Sequence, residues 1–406
     1  MLRKYQQYVW LSFLFLFITE NLFAQPTDTS AIVKQLTQQV KAVYAPDKRV
    51  KAWVINEPTQ GTITGYTTEP AAIVLLKKKL DSANFLLSLN IETLPQKSLG
   101  AETKGIIRVS VAHHRFEPND AAEMATQSLM GTPVDILMKK GGYYLVRTPD
   151  QYLAWTEAMM VYRTDEAGLR NWQQQDKIVV MSPFALLQEK PLKDIDVVTD
   201  LVAGNLLKLV RKKGRYYACE LPDGRKGYLP KSAVALYKKW AGKKATAENV
   251  IQAGKNMLGT PYLWGGTSIK GVDCSGFVKT AYFINGVVLP RDASQQVLVG
   301  EAVDIRDHDT VSVAKALQNL LPGDLLFFSS LKDGKPTGRV THVAMYLGNA
   351  MYIHASGMVR INSMLPGPDF ADWETRAFVA AKRFITATSQ NGVTPVAVHP
   401  YYNPQQ

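Results

Sequence analysis

Cysteine is scarce in this chain: its 406 residues include two, Cys219 and Cys274. No disulfide framework can therefore staple it. The 28 glycines and 21 prolines are too few for a collagen-like or low-complexity chain. No cluster of His, Cys, Asp and Glu has metal-ligand spacing, so neither a metal nor an organic cofactor is indicated. Basic residues are not interleaved with aromatics along a stripe, which argues against a nucleic-acid binder. Long apolar runs are missing too, which argues against a polytopic membrane protein. What remains is a globular composition, 46% hydrophobic and 20% charged. At about 150 residues per domain the length suits roughly two to four domains. Lysine plus arginine number 47 against 35 acidic residues, a formal charge of +12. That bias favours polyanionic surroundings or carboxylate-rich ligands.

The N-terminus reads as an address. Arg3 and Lys4 precede an apolar run from Val9 to Ile18, and Leu22-Phe23-Ala24 offers a small residue for cleavage. This is the pattern of a secretory signal peptide. The run falls short of the ~20 apolar residues a membrane helix needs, which disfavours the competing reading as an uncleaved anchor. No Cys follows it, so lipid attachment at an N-terminal Cys is excluded. Residues 1–24 are read as the signal, with the mature chain starting near Gln25, exported to the periplasm and without a membrane span after cleavage. A free thiol in such a compartment risks oxidation, so Cys274 needs a reason to be there.

The rest divides into small units. Residues 25–104 read as a small α+β region, with β-type runs at Arg49–Asn56 and Thr62–Thr68 and a helix in Glu69–Leu87. Ile73, Leu76 and Leu80 mark its buried face, and Lys77-Lys78-Lys79 a solvated one. Residues 105–165 and 166–240 carry short β-type runs broken by turn signals, the spacing of two small β-barrels. The segments 142–155 and 216–229 read as two copies of one pattern, and both resemble bacterial SH3-like barrels. Residues 246–385 begin with helices and end with strands, an α+β order. The tail, 386–406, is polar and is expected to be loosely ordered.

Chemistry concentrates at Cys274. Gly-rich turns feed a Cys that opens an amphipathic helix, with Phe277, Val278 and Ala281 on its buried face. A thiol at a helix N-terminus is expected to ionise more easily. On that argument alone, a nucleophile and an inert buried Cys are equally good readings. Cys219 lies inside an alternating strand and is read as structural. A nucleophile needs a base, and the base an orienting group. His342 and His354 fall on consecutive strands of one hairpin. An odd loop count places both rings on one face; a plain two-residue loop separates them. Taking Gly348–Ala350 as a three-residue loop sets Ala344 opposite His354, with His342 diagonal to it.

Five motifs in order then carry a family resemblance. They are Tyr262-x-Trp264-Gly265-Gly266, Asp273-Cys274-Ser275-Gly276-Phe277, Leu289-Pro290-Arg291-Asp292, Leu321-Pro322-Gly323-Asp324-Leu325 and Thr341-His342-Val343. Together they resemble the NlpC-type cell-wall cysteine peptidases, papain-like α+β enzymes that cut peptidoglycan stem peptides. The preceding part, with Arg115, Glu117-Pro118 and the two SH3-like units, resembles a subgroup. That subgroup cleaves γ-D-glutamyl–diamino acid bonds, with diaminopimelate or lysine as the diamino acid, in peptides with a free N-terminal L-Ala. The resemblance implies Cys274 as nucleophile, His342 as general base, His354 as orienting group and Tyr262 as oxyanion donor. For the substrate it implies Asp273, Glu117 and Tyr152 around the amine, and Arg291 and Ser275 for the α-carboxylate of the D-Glu. Trp264 and Asp292 enter on the motifs alone. His113-His114 and Phe116 depart from the subgroup pattern. As a metal pair His113-His114 is excluded, because neighbours on a strand point to opposite faces. The rival readings are a hydrolase of intact wall tethered by its SH3-like units, and a non-catalytic wall-binding protein.

Overall fold

The computed structural model describes residues 29–191, 196–367, 376–387 and 392–403. The expected signal, 1–24, lies outside the described residues. Among them no helix is long and apolar enough to cross a membrane.

The first unit is a three-stranded sheet of Trp53–Ile55, Thr62–Thr67 and Ser88–Thr93, with helices Thr29–Tyr44 and Pro70–Ser82. The middle strand pairs antiparallel with the first and parallel with the third. A parallel partner requires a crossover, and the helix Pro70–Ser82 is that crossover. Pro70 sits at its start, where a missing N–H costs nothing. Leu76 and Leu80 are fully buried against Val33, Val40 and Ile63. Each such leucine contributes roughly 2 kcal/mol over its exposed state. Lys77 and Lys78 face solvent as expected. The first helix and the third strand are additions to the sequence reading.

Two seven-stranded antiparallel sheets follow. The first runs in the order Val161–Thr164, Lys104–Ile107, Pro133–Lys140, Tyr143–Arg147, Leu153–Glu157, Val111–Arg115, Met124–Leu129. The second runs Val234–Leu236, Lys177–Val180, Leu206–Lys213, Tyr216–Glu220, Lys226–Pro230, Phe184–Gln188, Val197–Val202. Strand for strand, the two orders are the same. The repeat glimpsed at 142–155 and 216–229 is therefore a repeat of topology, and those segments are equivalent hairpins in it. Among the described residues no pairing joins the two outer strands of either sheet, so the hydrogen bonding stays open where closed barrels were expected. Bulges in the long strands, between Ile136 and Met138 and between Leu209 and Arg211, bend each sheet around its own core.

His113 and His114 do point to opposite faces. His113 contacts Gln127 at 3.2 Å, while His114 is fully buried and neither ring nitrogen has a protein partner. Burial drives the His114 imidazole down to about 3. Its unfolded-state value of about 6.5 is higher. The unfolded chain therefore takes up the proton first, and stability is lost as pH falls from 6.5 towards 3. His114→Leu should remove this term. Relative to its effect at pH 7.5, the variant should gain about 2 kcal/mol over the parent at pH 5 in denaturant unfolding. An unchanged difference between the two pH values would refute it.

The last unit packs helices Ala247–Lys255 and Cys274–Ile284 on a six-stranded sheet. Its order is Glu301–Ala302, Arg376–Arg383, Leu325–Lys332, Lys335–Gly348, Met351–Ser356, Met358–Ser363. Asp324 of the Leu-Pro-Gly-Asp motif is buried and holds Arg383 through two bonds of 2.9 and 2.8 Å, fixing the strand that crosses beside it. The tail departs from its expected looseness. Thr394–Pro395 pairs with Val287–Val288, and Val393, Val396 and Tyr402 are buried, the last against Phe283. Apolar side chains spaced among polar ones are enough to dock it. Units also meet through charge: Asp150 of the first seven-stranded sheet, 2% exposed, pairs at 3.0 Å with Lys279 of the Cys274 helix.

Candidate active site

The Cys274 helix starts where it does because Asp273 caps it. The Asp273 backbone is extended, and its Oδ1 accepts from the amide of Gly276 at 2.6 Å. Gly276 has no alternative: a Cβ there would lie 1.9 Å from the carbonyl oxygen of Gly266. The helix mouth thus rests directly on the Gly265-Gly266 turn. Cys274 is the first helical residue, 7% exposed, with Sγ 3.9 Å from the carbonyl oxygen of Thr341.

The residue after Thr341 is His342, and the two histidines do share a face. The turn that achieves this differs from the three-residue expectation. Gly348 pairs with Met351, leaving Asn349 and Ala350 as a two-residue loop, both at positive φ. The odd residue is Leu347, a bulge one step earlier in the strand. The register Met345–Ile353, continued by one residue, still sets Ala344 opposite His354. His342 Nε2 lies 2.8 Å from His354 Nδ1, with the rings at 83°. His354 Nε2 lies 2.8 Å from Asn362 Oδ1. An amide oxygen only accepts, so His354 carries its proton on Nε2. Its bare Nδ1 then accepts from His342 Nε2–H, which leaves His342 Nδ1 as a free base. Asn362 was not anticipated. The available signal was strand alternation after Gly357, which puts Arg360 and Asn362 on the His354 face.

Electrostatics correct one expectation. The amides of Ser275 and Val343 do favour a Cys274 thiolate, but burial outweighs them and Asp273 adds to it. The thiol is pushed up to about 12, instead of down. His342 moves the other way. Burial, then the charges of Arg376, His354 and Arg360, hold it well below its ordinary value. Both directions favour a neutral thiol and a neutral imidazole at rest. Such a pair can act by proton transfer during attack, not from a standing ion pair. Burial also raises the Tyr262 phenol, with Cys274 and Asp273 adding to it, so its hydroxyl stays a donor.

A cleft of about 310 Å³ opens over Cys274. Of the site residues singled out in the sequence, Tyr152, Tyr262, Trp264, Asp273, Cys274, Ser275 and Asp292 line it. Four do not: His342 and His354, which are buried, and Glu117 and Arg291. Glu117 is exposed and lines a neighbouring hollow with Lys48 and Phe116. Arg291 is 1% exposed and lies beneath the floor, forked onto Asp273 at 2.6 and 3.1 Å and bonded to Ser275 and Thr126. Its donors are used inside the protein, so it is no longer a candidate for a substrate carboxylate. Asp273 is similarly occupied: Gly276, Gly265, Ser275 and both Arg291 nitrogens donate to it. That exhausts the roughly four lone-pair positions of a carboxylate.

Other residues take those places. Glu123 lines the cleft and accepts from Trp264 Nε1 at 2.7 Å with one oxygen. Asp292 Oδ2 accepts from the Tyr152 hydroxyl at 3.1 Å. Arg339, three residues before His342, is an exposed cation in the cleft lining. Lys48 and Arg49 reach the cleft from the N-terminal unit. Glu123 and Arg339 sit in stretches with no local signature. The nearest clue was Glu123 at the head of the strand that carries Gln127 and Thr126.

Residues 259–376 match the NlpC/P60 family. Residues 115–158 match a family described as the bacterial dipeptidyl-peptidase Sh3 domain. A gamma-D-glutamyl-L-lysine dipeptidyl-peptidase of Bacillus cereus is 32% identical over 257 residues, 61% of this chain and 72% of that one. Dipeptidyl-peptidase 6 of Lysinibacillus sphaericus is 32% identical over 274 residues, 64% of this chain and 91% of its own. The crystal structure of an NlpC/P60 family protein from Bacillus cereus superposes with a TM-score of 0.58 at 26% identity, covering 70% of this chain and 99% of that one. With this identity spread over most of each relative's length, the chain belongs to the NlpC/P60 family and is a cysteine peptidase of the cell-wall type, with a papain-like catalytic unit.

Proposed function

We propose that this peptidase hydrolyses the γ-D-glutamyl–diamino acid bond of peptidoglycan stem peptides whose N-terminal L-Ala amine is free. The observation that carries this reading is the cleft end at Asp292, Tyr152 and Glu123. The cleft is lined by two carboxylates, Asp292 and Glu123, and the Tyr152 phenol, chemistry that suits an ammonium group. Relatives named as γ-D-glutamyl-L-lysine dipeptidyl-peptidases support it.

Cys274 is the nucleophile. As its sulfur attacks the γ-glutamyl carbonyl, the thiol proton passes to Nδ1 of neutral His342. The Tyr262 hydroxyl and the unpaired helix-start amide of Cys274 stabilise the oxyanion. Collapse of the tetrahedral species expels the diamino acid amine, which takes its proton from His342. A water then loses a proton to His342 and attacks the thioester, releasing the L-Ala-γ-D-Glu fragment and restoring the thiol. His354, held by Asn362, keeps the tautomer fixed throughout. Arg339 is placed for a carboxylate of the substrate, whereas the single Ser275 O–H is spent on Asp273. Glu123 and Asp292 take the amine in place of Glu117 and Asp273. The two seven-stranded units are SH3-like domains that shape the substrate end, and the chain is exported through its N-terminal signal. The domain limits follow the sequence reading, with the tail as part of the catalytic unit.

Kinetics on a defined stem tripeptide and its N-acetylated form test this. The acetylated peptide should lose about 100-fold or more in kcat/KM, since it replaces the ammonium by a neutral amide that Asp292 and Glu123 cannot pair with. Equal rates on the two would sink the reading in favour of a hydrolase of intact wall.

A further inference from the structure

The N-terminal unit lies outside both matched segments, 115–158 and 259–376, yet one of its residues enters the cleft. Arg49 is three-quarters buried and fully engaged. Its Nε and Nη2 fork onto Asp47 at 2.8 Å each. Its Nη1 reaches Asp292 Oδ2 at 2.8 Å and Ser294 Oγ at 2.9 Å. Its own carbonyl accepts from the amide of Leu153, next to Tyr152, at 2.6 Å. Gln295 in turn donates to Asp47 at 3.2 Å. The segment 47–49 is thus fastened to the short helix Ala293–Gln296 and to the first seven-stranded unit at one point.

That point is the amine end of the cleft. Asp292 Oδ2 is shared by Arg49 and the Tyr152 hydroxyl. With Oδ2 held from two sides and Oδ1 3.9 Å from Nη1 of the buried Arg291, the carboxylate is fixed in direction at the edge of the cleft. A second hollow of about 300 Å³ is lined by Lys41, Lys48, Trp53, Phe116 and Trp155, and Lys48 and Phe116 are common to both spaces. Arg49, next to Lys48 in the chain, lines the first space only.

We propose that Arg49 is a specificity-determining positioning residue: it closes the amine end of the cleft and aims Asp292 at the substrate ammonium. The N-terminal unit is then part of the substrate site. This inference rests on the free-amine reading above and assigns it to a residue outside the catalytic unit. Loss of Arg49 frees Asp292 and removes a cleft-lining side chain at that end. Recognition of the free amine suffers, while the thiol, imidazoles and oxyanion donors are untouched.

The test compares the parent, Arg49→Met and Arg49→Lys on the free and N-acetylated tripeptides, with thermal unfolding as the check on folding. The parent should discriminate between the two peptides; a parent that does not overturns the free-amine reading itself, before Arg49 is considered. In Arg49→Met, KM for the free peptide should rise about 10-fold with kcat within about 2-fold. The free-to-acetylated ratio of kcat/KM should fall about 10-fold or more. Arg49→Lys keeps the charge but not the fork, so its ratio should fall between parent and Met variant. A folded Arg49→Met with the parental ratio, or one that loses kcat at unchanged KM and ratio, overturns the proposal. If Arg49→Met does not fold, Arg49→Lys decides, and a parental ratio there overturns it too.

Discussion

Replacing Cys274 with alanine should lower turnover of the stem tripeptide by at least about 10⁴-fold while leaving its binding intact. The substitution removes the sulfur and its long contact with the Thr341 carbonyl at 3.9 Å, while Asp292, Tyr152, Glu123 and Trp264 keep their own hydrogen bonds. Mass spectrometry of the products measures the first quantity and calorimetric titration the second. Residual turnover within 100-fold of the parent would remove Cys274 from its role. The resting thiol adds a further expectation about reagents. Because burial pushes it up to about 12, the free enzyme should react slowly with alkylating agents at neutral pH. A standing thiolate–imidazolium pair would react fast. His342, held well below its ordinary value by burial and then by the charges of Arg376, His354 and Arg360, favours the neutral form that the proposed base requires.

The second large effect is expected at Arg291, where the sequence suggested binding and the structure shows support. Arg291→Met should cost about 3–5 kcal/mol in stability of the catalytic unit, because it leaves Asp273 buried with its charge uncompensated. Asp273 is the helix cap, so the loss reaches the mouth of the Cys274 helix directly. Adding Asp273→Asn to Arg291→Met should return part of that loss, since the uncompensated charge goes with it. Denaturant unfolding of the single and double variants reads both numbers. A single-variant cost below about 1 kcal/mol would mean that the pair is not buried as described.

How much of this was legible in the sequence depends on the range of the interaction concerned. The cap and the helix start were legible because Asp273, Cys274 and Gly276 act on each other within one turn. So was the shared face of His342 and His354, where alternation along two adjacent strands carries the information. The turn was misjudged for an instructive reason. A loop of three and a loop of two with a bulge have the same parity, and Leu347 has no feature that marks it as the bulge. Thiol ionisation was misjudged because the helix-start effect is local and visible, whereas burial is a property of the assembled fold and proved larger. Asp273 and Arg291 were each assigned to the substrate because both are charged and near Cys274 in the chain. Only in three dimensions do they satisfy each other.

The sequence alone determined the helix start at Cys274, the shared face of His342 and His354, the repeat of two β units and the α+β order of the last unit, because each follows from spacing of a few residues or one hairpin. The tertiary structure decided which carboxylates remain open to a ligand, which cations are already paired, and that Arg49 arrives from a separate unit 243 residues before its partner Asp292. Contacts over such distances depend on how finished units pack against one another, and no local pattern of side chains encodes that.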